Sequence, residues 1–416
     1  MVSDGKGGYI ESGDSVYPTD MLYNEEKSGC IDVLGNVIDG AISYNDGQIV
    51  ITTNMTSKCF VYFDEIPNNP VKLNVYTNGV LNTLPTTSGY KASLSCSDAT
   101  ATFSDRYQRV EISQLGKNPV CNLNYNSIDT NVYTKLTTEV QNKATQISSI
   151  NNAGETDISY RYNGKNPNNY IWFNNEMWRI IGLIPTCTSS GCATKSNLVK
   201  IIRNESLGAY AYDASSTTTS ELKNAWGSNT LYKLLNEYYY GKGNGTNSSY
   251  CRGFYDSTYQ PIPDCNFNEI GISNSKEDYF GTMIENVYWN TGKSSFSGKP
   301  GDLYETETAT QTVSGYIGLM AASDYGYAGI NYNEMMDGTE FAYNTSTNWL
   351  YGNGYEWTSI ESTVATYATI RISADGTSND RKVYVGYSVR PTVYLNSSVY
   401  ILSGIGTERD PIIIGM

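Results

Sequence analysis

Eight cysteines constrain this chain more than any other feature, because they fall into four close pairs: Cys30 and Cys59, Cys96 and Cys121, Cys187 and Cys192, Cys251 and Cys265. Nearest-neighbour pairing is one of roughly a hundred connectivities. It is the simple one, since each pair brackets a local loop or hairpin. With no histidine and no Cys-x-x-Cys in the sequence, zinc has few ligands to use. Disulfides point instead to an oxidising, extracellular setting. No apolar run has the length of a membrane-spanning helix. The opening Met-Val-Ser-Asp-Gly-Lys lacks the form of a signal peptide, so an export or anchoring segment is expected outside this sequence.

At 416 residues the chain exceeds one ordinary core, and several domains are expected. Charged residues make up only 17%, whereas Tyr occurs 37 times and Gly 38 times. Low charge with abundant Tyr, Thr and Asn favours turn-rich β structure over disorder. The net charge of −14 disfavours nucleic acid and anionic membrane surfaces, both of which select Lys/Arg surfaces. Lack of histidine removes the commonest general base. A hydrolase running on two carboxylates remains open.

A degenerate internal repeat occupies the first part of the chain. Ala41–Phe63 and Ala101–Tyr125 each carry a polar turn, an alternating strand (Ile-Val-Ile-Thr, Arg-Val-Glu-Ile-Ser), a loop, then Cys with a second alternating strand. Residues 1–66 and 67–126 therefore read as two small β modules whose limited cores make a staple valuable. Leu136, Val140, Ala144 and Ile147 recur at helical spacing, so 127–153 reads as a helical linker.

Residues 154–416 form the remaining domain and hold all six Trp. Tyr-Ile-Trp-Phe, Asn174-Asn175 and Glu-Met-Trp-Arg-Ile-Ile-Gly predict strand, two-residue turn and strand, because Asn tolerates the left-handed backbone such a turn needs. Leu231, Leu234, Leu235 and Tyr238 predict a helix capped by Ser228 or Asn229. Tyr316–Ser323 reads as an apolar strand or short helix, and Asp375-Gly376 as a hairpin turn.

The segments Arg161–Leu183, Ser314–Ala328, Asn348–Thr358 and Gly386–Ile412 resemble a domain of uncharacterised function in extracellular proteins of gut Firmicutes, which often follows small β-sandwich repeats. The Gly386-Tyr-Ser-Val-Arg390-Pro391 ending resembles the Gly-Val-Arg-Pro strand of the C-type-lectin-like superfamily. The two N-terminal modules are similar in pattern to bacterial immunoglobulin-like repeats. The resemblance implies all-β immunoglobulin-like sandwiches followed by an α+β C-type-lectin-like domain; an all-β chain is the alternative. It also implies structural roles for Trp178, Arg179 and Arg390, with the domain's two ends brought together.

Formylglycine-generating relatives depend on reactive cysteines in their C-terminal half, and here no Cys follows Cys265. Asp324, Glu334, Asp337, Glu340 and Glu356 could supply a carboxylate pair, but their spacing selects none. No cofactor is expected: Asp324–Glu340 offers oxygen donors to Ca²⁺, yet it fits no calcium-loop pattern and a solvated acidic loop is preferred. Binding without catalysis is the favoured function, adhesion or recognition of a glycan or a surface protein. Tyr240, Tyr250 and Tyr255 in one loop, and Trp349, Tyr351, Tyr355 and Trp357 in another, are the expected ligand face, since flat rings suit sugars and protein anchors alike. A structural surface or pilus-associated component and a carboxylate-based glycan hydrolase are the alternatives.

Overall fold

Asn174 and Asn175, at φ of 54° and 59°, turn the chain between paired Phe173 and Glu176, the two-residue hairpin expected of them. The computed structural model describes all residues except 4–8, 12–20, 46–47, 54–56, 66–70, 83–89, 107–108, 130–131, 217–220, 254–263, 275–279, 296–297, 309–311, 331, 333–344 and 416. The chain is mostly β-strand in several sheets, with few and short helices. No helix among the described residues is long and apolar enough to cross a membrane.

Chain contacts divide it into two units. One comprises Met1–Asn74, Ser95–Ala101 and Ile112–Asn122, the other Val75–Leu94, Thr102–Glu111 and Leu123–Met416. In the first unit, strands Met21–Ile31 and Lys58–Glu65 pair antiparallel, with Cys30 directly opposite Cys59. Their disulfide thus staples neighbouring strands of one sheet. Cys96–Cys121 likewise bridges the neighbouring strands Tyr90–Ser104 and Arg109–Ser127. The expected Arg-Val-Glu-Ile-Ser and Cys-Asn-Leu-Asn-Tyr strands are one continuous strand, because the segment between them keeps extending the ladder instead of looping out.

In the second unit, strand Glu176–Cys187 is the hub. It pairs with Tyr170–Phe173, Thr156–Arg161, Lys195–Arg203 and Val287–Asn290. Trp178 to Ile184 are all buried, as befits a strand covered on both faces. Gly182 is required there, because a Cβ would lie 2.3 Å from the Tyr160 carbonyl. The C-terminal strand Ile412–Gly415 runs parallel to Tyr170–Phe173, which sets the end of the chain beside the start of this sheet. A second sheet carries Ala209–Ala211, Gly386–Ser388, Glu356–Ser362, Ala368–Ile372 and Ser378–Lys382 in that order. Its last two strands form the expected hairpin at Asp375-Gly376.

One helical expectation needs correction and a second is refined. The helix Leu136–Lys143 ends before Ala144, and Ile147 lies in strand Thr145–Ile150, where cross-strand pairing with Thr156–Arg161 overrides the helical period. Nor is it a free connector, since Leu136 and Val140 are buried in the unit's main core. The 228–240 segment is helical, with Asn229 accepting from the Tyr232 N–H, but after Thr230–Lys233 it widens into a π-helix over Leu234–Tyr239. Tyr316–Met320 is irregular and leads into helix Ala322–Tyr327.

Candidate functional site

The loop Asn166–Asn169 enters the sheet hub and is held from beneath. Asn169 is fully buried; its amide donates to the Ile180 carbonyl at 2.8 Å and accepts from Arg179 Nε at 2.6 Å. The Arg179 guanidinium lies 3.7 Å from the Tyr170 ring centroid and 4.7 Å from that of Trp349, and Nη2 reaches Asn166 Oδ1 and the Pro167 carbonyl. Burial pushes Arg179 down to about 10, with Tyr170 opposing and Arg390 assisting the shift. Its contacts among the described residues are neutral amides, a carbonyl and rings. Trp349 braces the other side: its indole N–H donates to the Tyr162 carbonyl at 2.7 Å and its backbone N–H to Gly164 at 2.9 Å.

This bracing shapes a cavity of about 270 Å³ lined by Lys143, Ala144 and Thr145, by Arg161, Tyr162 and Asn163, and by Pro167 and Asn168. Lys143 and Asn168 are exposed at its rim. Thr145 Oγ1 donates to Asn163 Oδ1 at 3.2 Å, which leaves the Asn163 amide nitrogen without a partner among the described residues. The Tyr162 hydroxyl is buried behind this lining, without a partner among the described residues, and burial raises its pKa. The volume is just below the usual range for drug-sized ligands, about 300–1,000 Å³, so one small ring fits. An amide nitrogen without a partner, beside the exposed Asn168, suits a ligand rich in hydroxyl groups. None of the lining residues is a carboxylate.

Arg161 turns its charge away from this cavity into a buried cluster. Its Nη1 donates to Asp324 Oδ1 at 2.5 Å, and Lys200 Nζ donates to Oδ2 at 2.6 Å. Glu307 accepts from the Ser323 backbone N–H at 3.0 Å and from its hydroxyl. Burial alone would raise Asp324, but Lys200 and Arg161 outweigh it and hold the carboxyl at about 2. Glu307 lacks such a cation at contact, and burial pushes it up to about 7. Such a split can separate an acid from a base. The space they share, however, is about 40 Å³, enough for water and too small for a sugar ring.

Of the rings expected on the ligand face, Trp349, Trp357 and Tyr240 are buried. Trp349 and Trp357 are core residues, 7% and 1% exposed, and the Trp357 indole donates to the Tyr210 carbonyl. Tyr240 is buried and stacked on Tyr316 at 4.3 Å, while Tyr250 packs edge-on against Tyr238. Tyr351 donates to the Ala374 carbonyl at 2.6 Å. Tyr355 is 46% exposed, with the Arg371 guanidinium 4.0 Å from its ring. Tyr255, Glu334, Asp337 and Glu340 lie outside the described residues. Indole and phenol rings in loop-like sequence suit a core as well as a surface, since they carry hydrophobic area and an N–H or O–H that a carbonyl can satisfy.

Trp178 is fully buried edge-on against Phe173, and Arg390 makes a two-point pair with Glu356, Nε to Oε1 at 2.7 Å and Nη2 to Oε2 at 2.8 Å. Glu176 pairs with Arg203. The polar residues of the cavity, Lys143, Thr145, Asn163 and Asn168, were missed, because single polar residues in irregular segments carry no spacing signal. Lys200 and Glu307 were missed too, since nothing local marks a charge that will be buried. All eight cysteines form the nearest-neighbour disulfides: Cys30–Cys59, Cys96–Cys121, Cys187–Cys192 and Cys251–Cys265. No protein-family model, curated protein or solved structure matches the chain.

Proposed function

We propose that this chain is the extracellular part of a bacterial surface protein whose larger unit recognises a hydroxyl-rich ligand, a glycan in the first instance, without making or breaking bonds. One observation carries the reading: a braced cavity of about 270 Å³ lined by Lys143, Thr145, Asn163 and Asn168, with the Asn163 amide nitrogen unpartnered among the described residues. Four disulfides fit an oxidising location. The immunoglobulin-like stalk and C-type-lectin-like head remain part of this proposal. Supporting the latter are the buried Trp178, the Arg390–Glu356 pair and the return of Ile412–Gly415 to the strand Tyr170–Phe173.

The test is a glycan array probed with the full chain, in calcium and in chelator. Saturable binding that Asn163→Ala or Asn168→Ala weakens at least tenfold supports recognition at this cavity. A blank array in both buffers, or binding indifferent to both substitutions, rejects it. One observation favours a structural surface component instead: Val33, Leu34 and Val37 stand 75%, 83% and 73% exposed around one turn of the smaller unit. Concentration-dependent assembly lost on Leu34→Ser would support that second reading.

A further inference from the structure

We propose that Lys200 and Asp324 are the precursors of an intramolecular amide cross-link, which ties strand Lys195–Arg203 to helix Ala322–Tyr327 and leaves the larger unit covalently locked. Lys200 Nζ already lies 2.6 Å from Asp324 Oδ2, and both side chains are about 4% exposed or less.

The pair is charged in the folded chain: Asp324 raises Lys200 against burial, and Lys200 and Arg161 hold Asp324 low. A lysine ammonium presents three donors. Among the described residues Lys200 has a single acceptor, Asp324; the rings of Trp289 and Tyr394 flank it at 5.2 and 5.4 Å. Burying a charge with unused donors is costly, and amide formation would remove both charges by way of a transient neutral pair. Moving one ammonium proton to Oδ2 gives an amine beside a carboxylic acid. Nζ can then attack Cγ. Arg161 Nη1 sits 2.5 Å from Oδ1, where negative charge develops as the carbon becomes tetrahedral. Oδ2 departs as water with two hydrogens, both originally on the ammonium, and Oδ1 remains as the amide carbonyl. Atoms and charge balance: ammonium plus carboxylate gives amide plus water.

Glu307 is placed to relay the second proton. It lines the same cavity of about 40 Å³ as Lys200 and Asp324, with room for a bridging water. A carboxyl held near 7 both gives and accepts a proton at neutral pH. The arrangement has a physical use. The disulfides of the larger unit span 5 and 14 residues, whereas Lys200 and Asp324 are 124 apart, so this bond would close a long loop and restrict the unfolded chain far more. The inference stands independently of what the neighbouring cavity binds.

Intact mass spectrometry of the full, denatured chain tests it. The expected mass is one water below that of the sequence with its four disulfides, and peptide mapping should recover Lys200 and Asp324 in one branched fragment. Lys200→Arg and Asp324→Ala should return the full mass, and Glu307→Gln should leave a slowly converting mixture. A wild-type chain with no water loss after prolonged incubation overturns the proposal whatever the variants do. So does a water loss that survives Lys200→Arg, which would belong to a cyclised aspartate elsewhere.

Discussion

The smaller unit buries only five apolar side chains among its described residues, Cys30, Ala41, Phe63, Pro119 and Cys121, and its two disulfides join neighbouring strands. The larger unit buries all six Trp of the chain, together with Arg161, Arg179, Lys200, Asp324, Glu356 and Arg390. The first is organised by covalent staples on thin sheets, the second by an aromatic core whose buried charges are matched to partners. Small units lack the volume to replace staples by packing. A large unit has the volume, and it can then carry polar groups inside, provided each finds a counterpart.

That contrast can be broken most sharply in the core. Trp178→Ala should cost about 3–5 kcal/mol, by deleting a ring that packs on Phe173 at 5.3 Å. A near-UV circular dichroism melt should show a large drop in the larger unit's transition. A loss below about 1 kcal/mol would mean the core tolerates the cavity and that packing is not what holds this unit.

Next comes the staple. Replacing both Cys30 and Cys59 by Ser should cost the smaller unit about 2–5 kcal/mol. The same change at Cys187 and Cys192, which close a far shorter loop, should cost less. Limited proteolysis followed by mass mapping reads the two units separately. Equal protection of the smaller unit with and without Cys30–Cys59 would remove the contrast.

Glu307 sharpens the comparison through pH. Its folded carboxyl sits at about 7, above the ordinary 4.5, so the folded state holds this proton more tightly than the unfolded chain. The stability it contributes is complete below about 4.5 and is lost as pH rises through about 7. Glu307→Gln stays neutral, so, compared at equal Lys200–Asp324 cross-linking, it should match wild type near pH 4.5 and exceed it by roughly 3 kcal/mol at pH 8. Urea melts at the two pH values decide this, and a variant that is no more stable at pH 8 would show that Glu307 is not buried as a free acid.

The smallest stability effect belongs to the cavity. Asn163→Ala touches no core group, so it should change stability by less than about 0.5 kcal/mol. A thermal shift beyond about 2 °C would mean Asn163 is scaffold.

The hairpin at Asn174-Asn175, the cap at Asn229, the turn at Asp375-Gly376 and all four disulfides were legible because each depends on near neighbours and on one residue's own stereochemistry. Trp349 and Trp357 were misplaced for the opposite reason. Their burial depends on carbonyls of Tyr162 and Tyr210, 187 and 147 residues away. The cavity was invisible for the same cause: Lys143, Asn163 and Asn168 meet only after Arg179 and Trp349 have fixed the loop between them.

Sequence by itself determined the β-rich class, the oxidising chemistry of the cysteines and the local turns, since propensity, spacing and backbone stereochemistry act over a few residues. Tertiary structure alone decided which rings face inward, which charges are buried beside a partner, and that Lys200, Asp324 and Glu307 share one small space. Those outcomes rest on contacts between segments more than a hundred residues apart in the case of Lys200 and Asp324. Burial and electrostatic pairing are properties of where chains meet, and no local pattern encodes them.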